Sequence, residues 1–237
     1  MKIESIPSFV SELRKIDTCS VANAIENHAV RLRNEGFIQP GIRCQFPAMA
    51  PMVGFAVPVK IRCSTPSPEG HPYKDRTDWW NYILKVPAPR VIVIQDVDAT
   101  PGLGAFIGEM HATILKTLRC VGAITNGTVR DLPAVGRLGF HLFSNGTSVS
   151  HAYVHVVEIG REVNIGGLKI QPGELLHGDL HGVVSVPPEL ALKIPETVAE
   201  NRAREHKLMA LCQRQDLDLE TLRDAVRGIN LGDGHTQ

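Results

Sequence analysis

Two short segments of this chain combine residue types that can hold a small acid and a cation together. The first, Gly102-Leu-Gly-Ala-Phe-Ile-Gly-Glu-Met-His111, is a glycine-rich turn that runs into a helical pattern. At the helix start, Gly108, Glu109, Met110 and His111 offer backbone N–H groups without intrahelical acceptors, which suits an anion. The second, Thr125-Asn-Gly-Thr-Val-Arg-Asp131, sets the Arg130 guanidinium beside the Asp131 carboxylate. Arginine grips a carboxylate bidentately, and a carboxylate oxygen suits a hard divalent cation. Glu109 follows Gly108 directly. It is either an ordinary first-turn acid favoured by the helix dipole or a base acting on a water of the cation.

The elements that must position these groups follow from periodicity and breakers. Residues 6–15 read as a short helix, and Asp17-Thr18 offers an N-cap for a second running to about His28. Met52–Cys63 reads as a strand in which Pro58 marks an edge or a bulge. A loop over Ser64–His71 precedes a helix over Asp75–Val86 carrying Trp79 and Trp80, which Pro87 and Pro89 end. Arg90–Gln95 is a β-branched run of the kind buried on both faces of a parallel sheet. A helix from about Glu109 to Leu118 and a strand over Val121–Thr125 complete a β–α–β unit, so both loops lie where open α/β sheets build their sites.

Downstream the texture changes. Short runs (the Leu142 region, Ala152–Ile159, Val163–Ile165, Leu168–Ile170, Leu175–His177 and Val183–Val186) are punctuated by Asn145-Gly, Gly166-Gly and Pro172-Gly, and read as antiparallel hairpins. From Pro188 the chain turns helical, with Pro195 in a first turn and a Leu219, Leu222, Val226 stripe in the last helix. The expected organisation is one α/β domain over residues 1–230, with a mixed sheet, C-terminal helices and a frayed tail at 231–237.

Other chemistries fit less well. Gly102-x-Gly104-x-x-x-Gly108 superficially suggests a dinucleotide site, but the next strand ends in Thr125-Asn126-Gly127 without the carboxylate that would hold a ribose. His151 and His155, on one predicted strand, would stand ~13 Å apart and share no metal. His177, Asp179 and His181 flank a glycine turn where they can converge, so Asp179 and His181 are additional candidates. Five scattered cysteines (Cys19, Cys44, Cys63, Cys120, Cys212) lack a C-x-x-C pair and read as reduced thiols in a cytoplasm. Net charge is zero with dispersed Lys and Arg, which gives no basic face for nucleic acid. The hydrophobic fraction of 43% supports a full core. No run approaches the ~18 apolar residues of a membrane helix, and the N-terminus shows no apolar signal core.

At these residues the chain resembles a known family, the regulator-of-ribonuclease-E-activity (RraA)-like proteins, which include class II 4-hydroxy-4-methyl-2-oxoglutarate (HMG) aldolases. The resemblance covers roughly residues 15–200. It rests on Gly108-Glu109-Met110-His111, on Ala123 through Arg130-Asp131, and on Pro172 through Asp179-Leu-His181 to Pro187. It implies a swivelling β/β/α-type fold, a homotrimer or hexamer, and sites near subunit interfaces. It further implies that the Gly108–His111 backbone and Arg130 bind the pyruvyl part of a small 2-oxo acid. Asp131 would hold Mg²⁺ or Mn²⁺, and Glu109 would contact a water of that ion. Met110-His111 and the Trp79-Trp80 helix depart from the aldolase pattern. Family members that regulate ribonuclease E generally lack the Arg-Asp pair, so the resemblance favours a metal-dependent lyase, with oxaloacetate decarboxylation as a side activity. The alternative is a non-catalytic regulator that binds a ribonuclease or another protein.

Overall fold

The computed structural model describes residues 7–68 and 77–232, with side chains to residue 228. Two helices open the chain, α1 (Ser8–Leu13) and α2 (Thr18–Glu26). Asp17 caps α2 as its sequence position predicts, its carboxylate accepting from the Ser20 N–H. There follow β1 (Arg43–Cys44), β2 (Met52–Arg62), α3 (Thr77–Lys85), β3 (Arg90–Asp96), β4 (Ala105–Ile107), α4 (Glu109–Thr117), β5 (Cys120–Thr125) and β6 (Thr128–Val129). The second half holds α5 (Leu132–Arg137), β7 (His141–Ser144), β8 (His155–Ile159), β9 (Val163–Ile165), β10 (Leu168–Ile170), β11 (Leu175–Asp179) and β12 (Gly182–Val186). It closes with α6 (Ile194–Cys212), which carries Pro195 in its first turn, and α7 (Leu219–Gly232).

The main sheet runs β1-β7-β5-β3-β2-β11-β12, with β8 also on β2. Four strands, β2, β3, β5 and β7, are parallel; β1, β8, β11 and β12 are antiparallel to their neighbours. Three layers result, because successive residues of the β-branched strands face opposite sides. On one face Ile92 and Ile94 pack with Trp79 and Ile83 of α3, Ala112 and Leu115 of α4 and Val135 of α5. On the other, Val91 and Val93 pack with Val163, Ile165, Leu168 and Ile170 of the β9–β10 hairpin. A third cluster seats α1, α2 and the start of α6 on Val53, Leu175, Val184 and Val186. The swivelling β/β/α arrangement with C-terminal helices is thus the architecture found.

Four expectations need correction. The Leu142 region is no hairpin arm: β7 lies parallel to β5, as a fourth parallel strand. The segment read as a strand from Ala152 begins only at His155. Residues 151–154 turn, with Ala152 at φ 48°, so His151 and His155 do not share a strand face. Pro58 lies in the central strand, paired in register with Val93. It is tolerated because its missing N–H faces the changeover on β2, where β11 stops at Phe55 and β8 starts at Val59. Finally, the glycine segment does not open straight onto a helix, since β4 intervenes and pairs with β6. Arg90, read with the apolar run, is buried, and its guanidinium donates to the carbonyls of Val86 (2.6 Å) and Leu118 (2.9 Å) beyond α3 and α4.

Candidate functional site

The site is assembled at the C-terminal ends of the parallel strands. Asn126, just beyond β5, ties that end to β3: its side-chain oxygen accepts from the Asp96 N–H (2.7 Å) and its amide donates to the Asp96 carbonyl (2.9 Å). The Asp96 carboxylate in turn receives the Gly102 N–H at 2.8 Å. Thr128 Oγ1 donates to the Gly102 carbonyl at 3.1 Å, and the Arg130 N–H to Ile107 at 3.0 Å. These bonds and the β4–β6 pair hold the glycine segment and the Arg130-Asp131 loop as one unit.

Contact between the two loops is close enough to dictate glycine. A Cβ on Gly108 would stand 2.5 Å from Asp131 Oδ2 and 2.9 Å from Arg130 Cγ, although its backbone (φ −137°) would accept any residue. Gly104 is crowded in the same way by the His151 carbonyl, 2.2 Å from where a Cβ would lie.

Asp131 is the strained residue of the group. It occupies the N-cap position of α5 in the left-handed region (φ 56°, ψ 34°) and gives α5 no side-chain cap. Its carboxylate instead caps α4, with Oδ2 accepting from the Glu109 N–H at 3.1 Å. Arg130 Nε stands 3.3 Å from Oδ1. The Glu109 amide first, and then the Arg130 guanidinium, hold the Asp131 carboxyl below the usual range, so it is ionised at neutral pH. Both side chains remain about a third exposed (31% and 37%), and they line a cleft of about 490 Å³ with Leu132, Pro133 and the Thr147–Val149 segment.

The other predicted residues fall as follows. Glu109 is exposed in the first turn of α4, and Met110 beside it is also exposed. His111 turns inward: its ring centroid lies 4.9 Å from that of Phe106, and burial pushes its pKa down to about 4, which keeps it neutral. The Glu109 amide predicted to face an anion is therefore engaged by Asp131. The segment at Thr147–Val149 was missed by sequence reasoning. It belongs here because Ser148 N–H donates to Val129 (3.1 Å) and Ala105 N–H to Ser150 (2.9 Å). Its signal is the Ser144-Asn-Gly-Thr turn, which marks a site loop once β7 is known to be parallel.

Asp179 and His181 are not brought to this cleft. Gly178 pairs with Met52, the first residue of β2, whereas the site lies beyond the last residues of β3 and β5, so the two are at opposite ends of the sheet. There His177 and Asp179 converge on Thr18, at the start of α2. His177 Nε2 donates to the Leu13 carbonyl (3.0 Å), which makes Nδ1 the acceptor for the Thr18 hydroxyl (3.0 Å). One Asp179 oxygen receives the Thr18 N–H and the other the His181 N–H, each at 2.8 Å.

A second group of metal-ligand types, Cys63, Asp96 and Asp98, has its donor atoms within 4.8 Å of one another. Its oxygens already serve the backbone. Asp96 accepts from Gly102 and Asp98, while Asp98 accepts from Cys63, Ser64 and the Ser64 hydroxyl. Burial pushes the Cys63 thiol up to about 12, so it is protonated at neutral pH. Asp131, ionised and open to the cleft, is the better oxygen donor for a hard cation.

The family model RraA-like, described as Aldolase/RraA, matches residues 18–185, a span containing both loops and the Thr18–Asp179 contact. The chain belongs to the RraA-like family. Among the curated relatives, a protein named "Putative 4-hydroxy-4-methyl-2-oxoglutarate aldolase" from Halalkalibacterium halodurans is 29% identical over 109 residues, covering 44% of this chain and 52% of that one. The match thus spans about half the relative's length. An uncharacterized protein from Pseudomonas syringae pv. tomato has the same fold, with a TM-score of 0.69 at 24% identity over 96% of this chain and 97% of that one. So does Streptomyces coelicolor RraAS2, an unusual member of the RNase ES inhibitor RraA protein family, with 0.65 at 20% identity over 87% and 98%. Among the described residues, no helix is long and apolar enough to cross a membrane.

Proposed function

We propose that this protein is a divalent-metal-dependent lyase acting on small 2-oxo acids, cleaving a 4-hydroxy-4-methyl-2-oxoglutarate-like compound to pyruvate. The observation that carries the reading is the fit of Asp131 and Arg130 against Gly108, which presents a carboxylate and a guanidinium side by side at the mouth of one cleft. The residues suit Mg²⁺ or Mn²⁺: Asp131 is ionised, and a carboxylate has lone pairs beyond those given to Glu109 and Arg130. With one protein carboxylate, most of the coordination sphere is left to water and substrate oxygens, which these ions accept. When bound there, the ion supplies Lewis-acid stabilisation of the charge that develops on the 2-oxo group as the C–C bond breaks.

The chain's own groups do the rest. Arg130 binds the substrate carboxylate and opposes the same developing charge, an interaction of about 1.5–3 kcal/mol. The first turn of α4 adds its positive dipole end. Glu109, exposed beside Asp131, accepts the proton of the 4-hydroxyl through water. Decarboxylation of oxaloacetate, which passes through the same pyruvate enolate, is the expected side activity. A cytoplasmic homotrimer or hexamer fits this reading, and so does the placement of residues 1–230 in one functional domain.

The test is pyruvate release from a panel of 2-oxo acids, with EDTA and metal add-back. Turnover that EDTA removes, Mg²⁺ or Mn²⁺ restores and Arg130→Ala abolishes is the expected result. Activity within a few-fold of wild type in Arg130→Ala would sink the assignment. No turnover across the panel would turn the reading to the non-catalytic regulator of a ribonuclease or other protein.

A further inference from the structure

A second cleft of about 490 Å³ lies at the opposite end of the sheet, between the loop before β1 and the β11–β12 turn. Its walls are held in place: the Ile38 N–H donates to Val183 (2.9 Å) and the Gln39 N–H to Gly166 (2.8 Å), while Phe37 bridges to Val184. Phe37, Ile42 and Leu180 contribute apolar surface, and Gln39, Arg43 and His181 contribute polar groups. Among the described residues, no Asp or Glu lines the cleft.

His181 is held as a ligand-binding imidazole is held. Asp179, 4% exposed, receives both the His181 backbone N–H (2.8 Å) and the ring Nδ1 (3.1 Å) on Oδ1. Burial opposes ionisation of Asp179, but the N–H bonds from Thr18 and His181 outweigh it and hold the carboxyl below its usual value. An ionised carboxylate only accepts, so Nδ1 carries a hydrogen and Nε2 is the atom turned to other partners. Among the described residues Nε2 makes no hydrogen bond, and the His181 side chain is 48% exposed. Arg43, exposed and lining the same cleft, forms no ion pair among the described residues.

We propose that this cleft is a second ligand site, in which Arg43 receives the charged end of a small organic anion whose apolar body lies against Phe37, Ile42 and Leu180, within the same cleft as the Asp179-oriented His181. The Arg43 guanidinium, with no cleft carboxylate opposing it among the described residues, selects the charge, and the apolar wall selects a body larger than an inorganic ion. Carboxylate and phosphate ends share this chemistry. The site is independent of the lyase reading, since it shares no residue with the Arg130–Asp131 cleft.

The test uses the full chain with ¹³C-labelled histidine rings, the His181 resonance being assigned with His181→Gln. Benzoate, phenyl phosphate, inorganic phosphate and neutral benzamide are titrated separately. A saturable shift of the His181 signal with benzoate or phenyl phosphate, absent with benzamide and weaker with inorganic phosphate, is expected. Whichever organic anion binds more tightly identifies the headgroup. Arg43→Ala should weaken that binding about tenfold, while Arg130→Ala leaves it unchanged. The proposal is overturned by a signal unmoved by both organic anions, by an equal response to benzamide, by unchanged affinity in Arg43→Ala, or by loss of the response in Arg130→Ala.

Discussion

The two ends of the sheet use an aspartate in opposite ways. Asp179 is buried, and its oxygens are matched to the Thr18 and His181 amides, which anchors α2 to the β11–β12 hairpin. Asp131 sits in a left-handed conformation, gives its capping bond to a helix other than its own, and leaves more than a third of its side chain in a cleft. Backbone strain of this kind costs on the order of 1–3 kcal/mol and persists only where surrounding structure enforces it. Here the β4–β6 pair and the Asn126 clamp enforce it. One aspartate is relaxed and spent on the fold, the other held taut and left open to its cleft.

The sharpest way to break this comparison is Asp131→Asn. Asparagine tolerates the left-handed region and still accepts from Glu109, so Tm should move by less than about 3 °C. On the proposed lyase reading, metal-dependent turnover should fall by at least about a thousandfold, on the order of 4 kcal/mol of transition-state stabilisation. A large loss of Tm, or retained turnover, would erase the distinction. At the other end His177→Ala empties a fully buried position and removes the ring that bonds the Thr18 hydroxyl and the Leu13 carbonyl. Urea unfolding should show a loss of about 3 kcal/mol, and on the proposed lyase reading the folded fraction should keep its turnover.

Both ends also bury a neutral histidine, which predicts a shared pH dependence. Burial depresses the pKa of His111 to about 4 and lowers that of His177. In the interval between folded and unfolded values the unfolded chain binds more protons, so stability rises with pH there. The contribution is complete above about pH 6.5, erodes as pH falls, and for His111 is exhausted near pH 4, on the order of 3 kcal/mol in all. The carboxylates with lowered values, Asp131 and Asp179, act only below their ordinary 3.8. Denaturant midpoints measured from pH 7 to pH 4 should therefore decline, and His111→Phe should flatten part of the slope. An unchanged slope in that variant would show that His111 is not the titrating group.

Much of the frame was legible in the residues. The β-branched run at β3, its partner β5, the Asp17 cap of α2 and the Gly166-Gly167 and β11–β12 hairpins all carry local signals, and local signals survive folding. The direction of β7 was misread because the pattern Phe-His-Leu-Phe-Ser is the same in a parallel or antiparallel strand, and with it the Thr147–Val149 wall went unseen. Arg90 was read as a strand end, since nothing local announces that the last carbonyls of two helices will surround it.

By itself, the sequence determined that Gly108, Arg130 and Asp131 lie in loops at strand ends, because glycine placement and hydrophobic periodicity are properties of short segments. Only the tertiary structure decided that those loops touch, that Asp131 caps the helix after Gly108, and that Asp179 and His181 stand at the far end of the sheet. Those outcomes depend on pairings between residues distant in the chain, such as Glu109 with Asp131 and Thr18 with Asp179, and no local pattern encodes which distant partner a backbone N–H will meet.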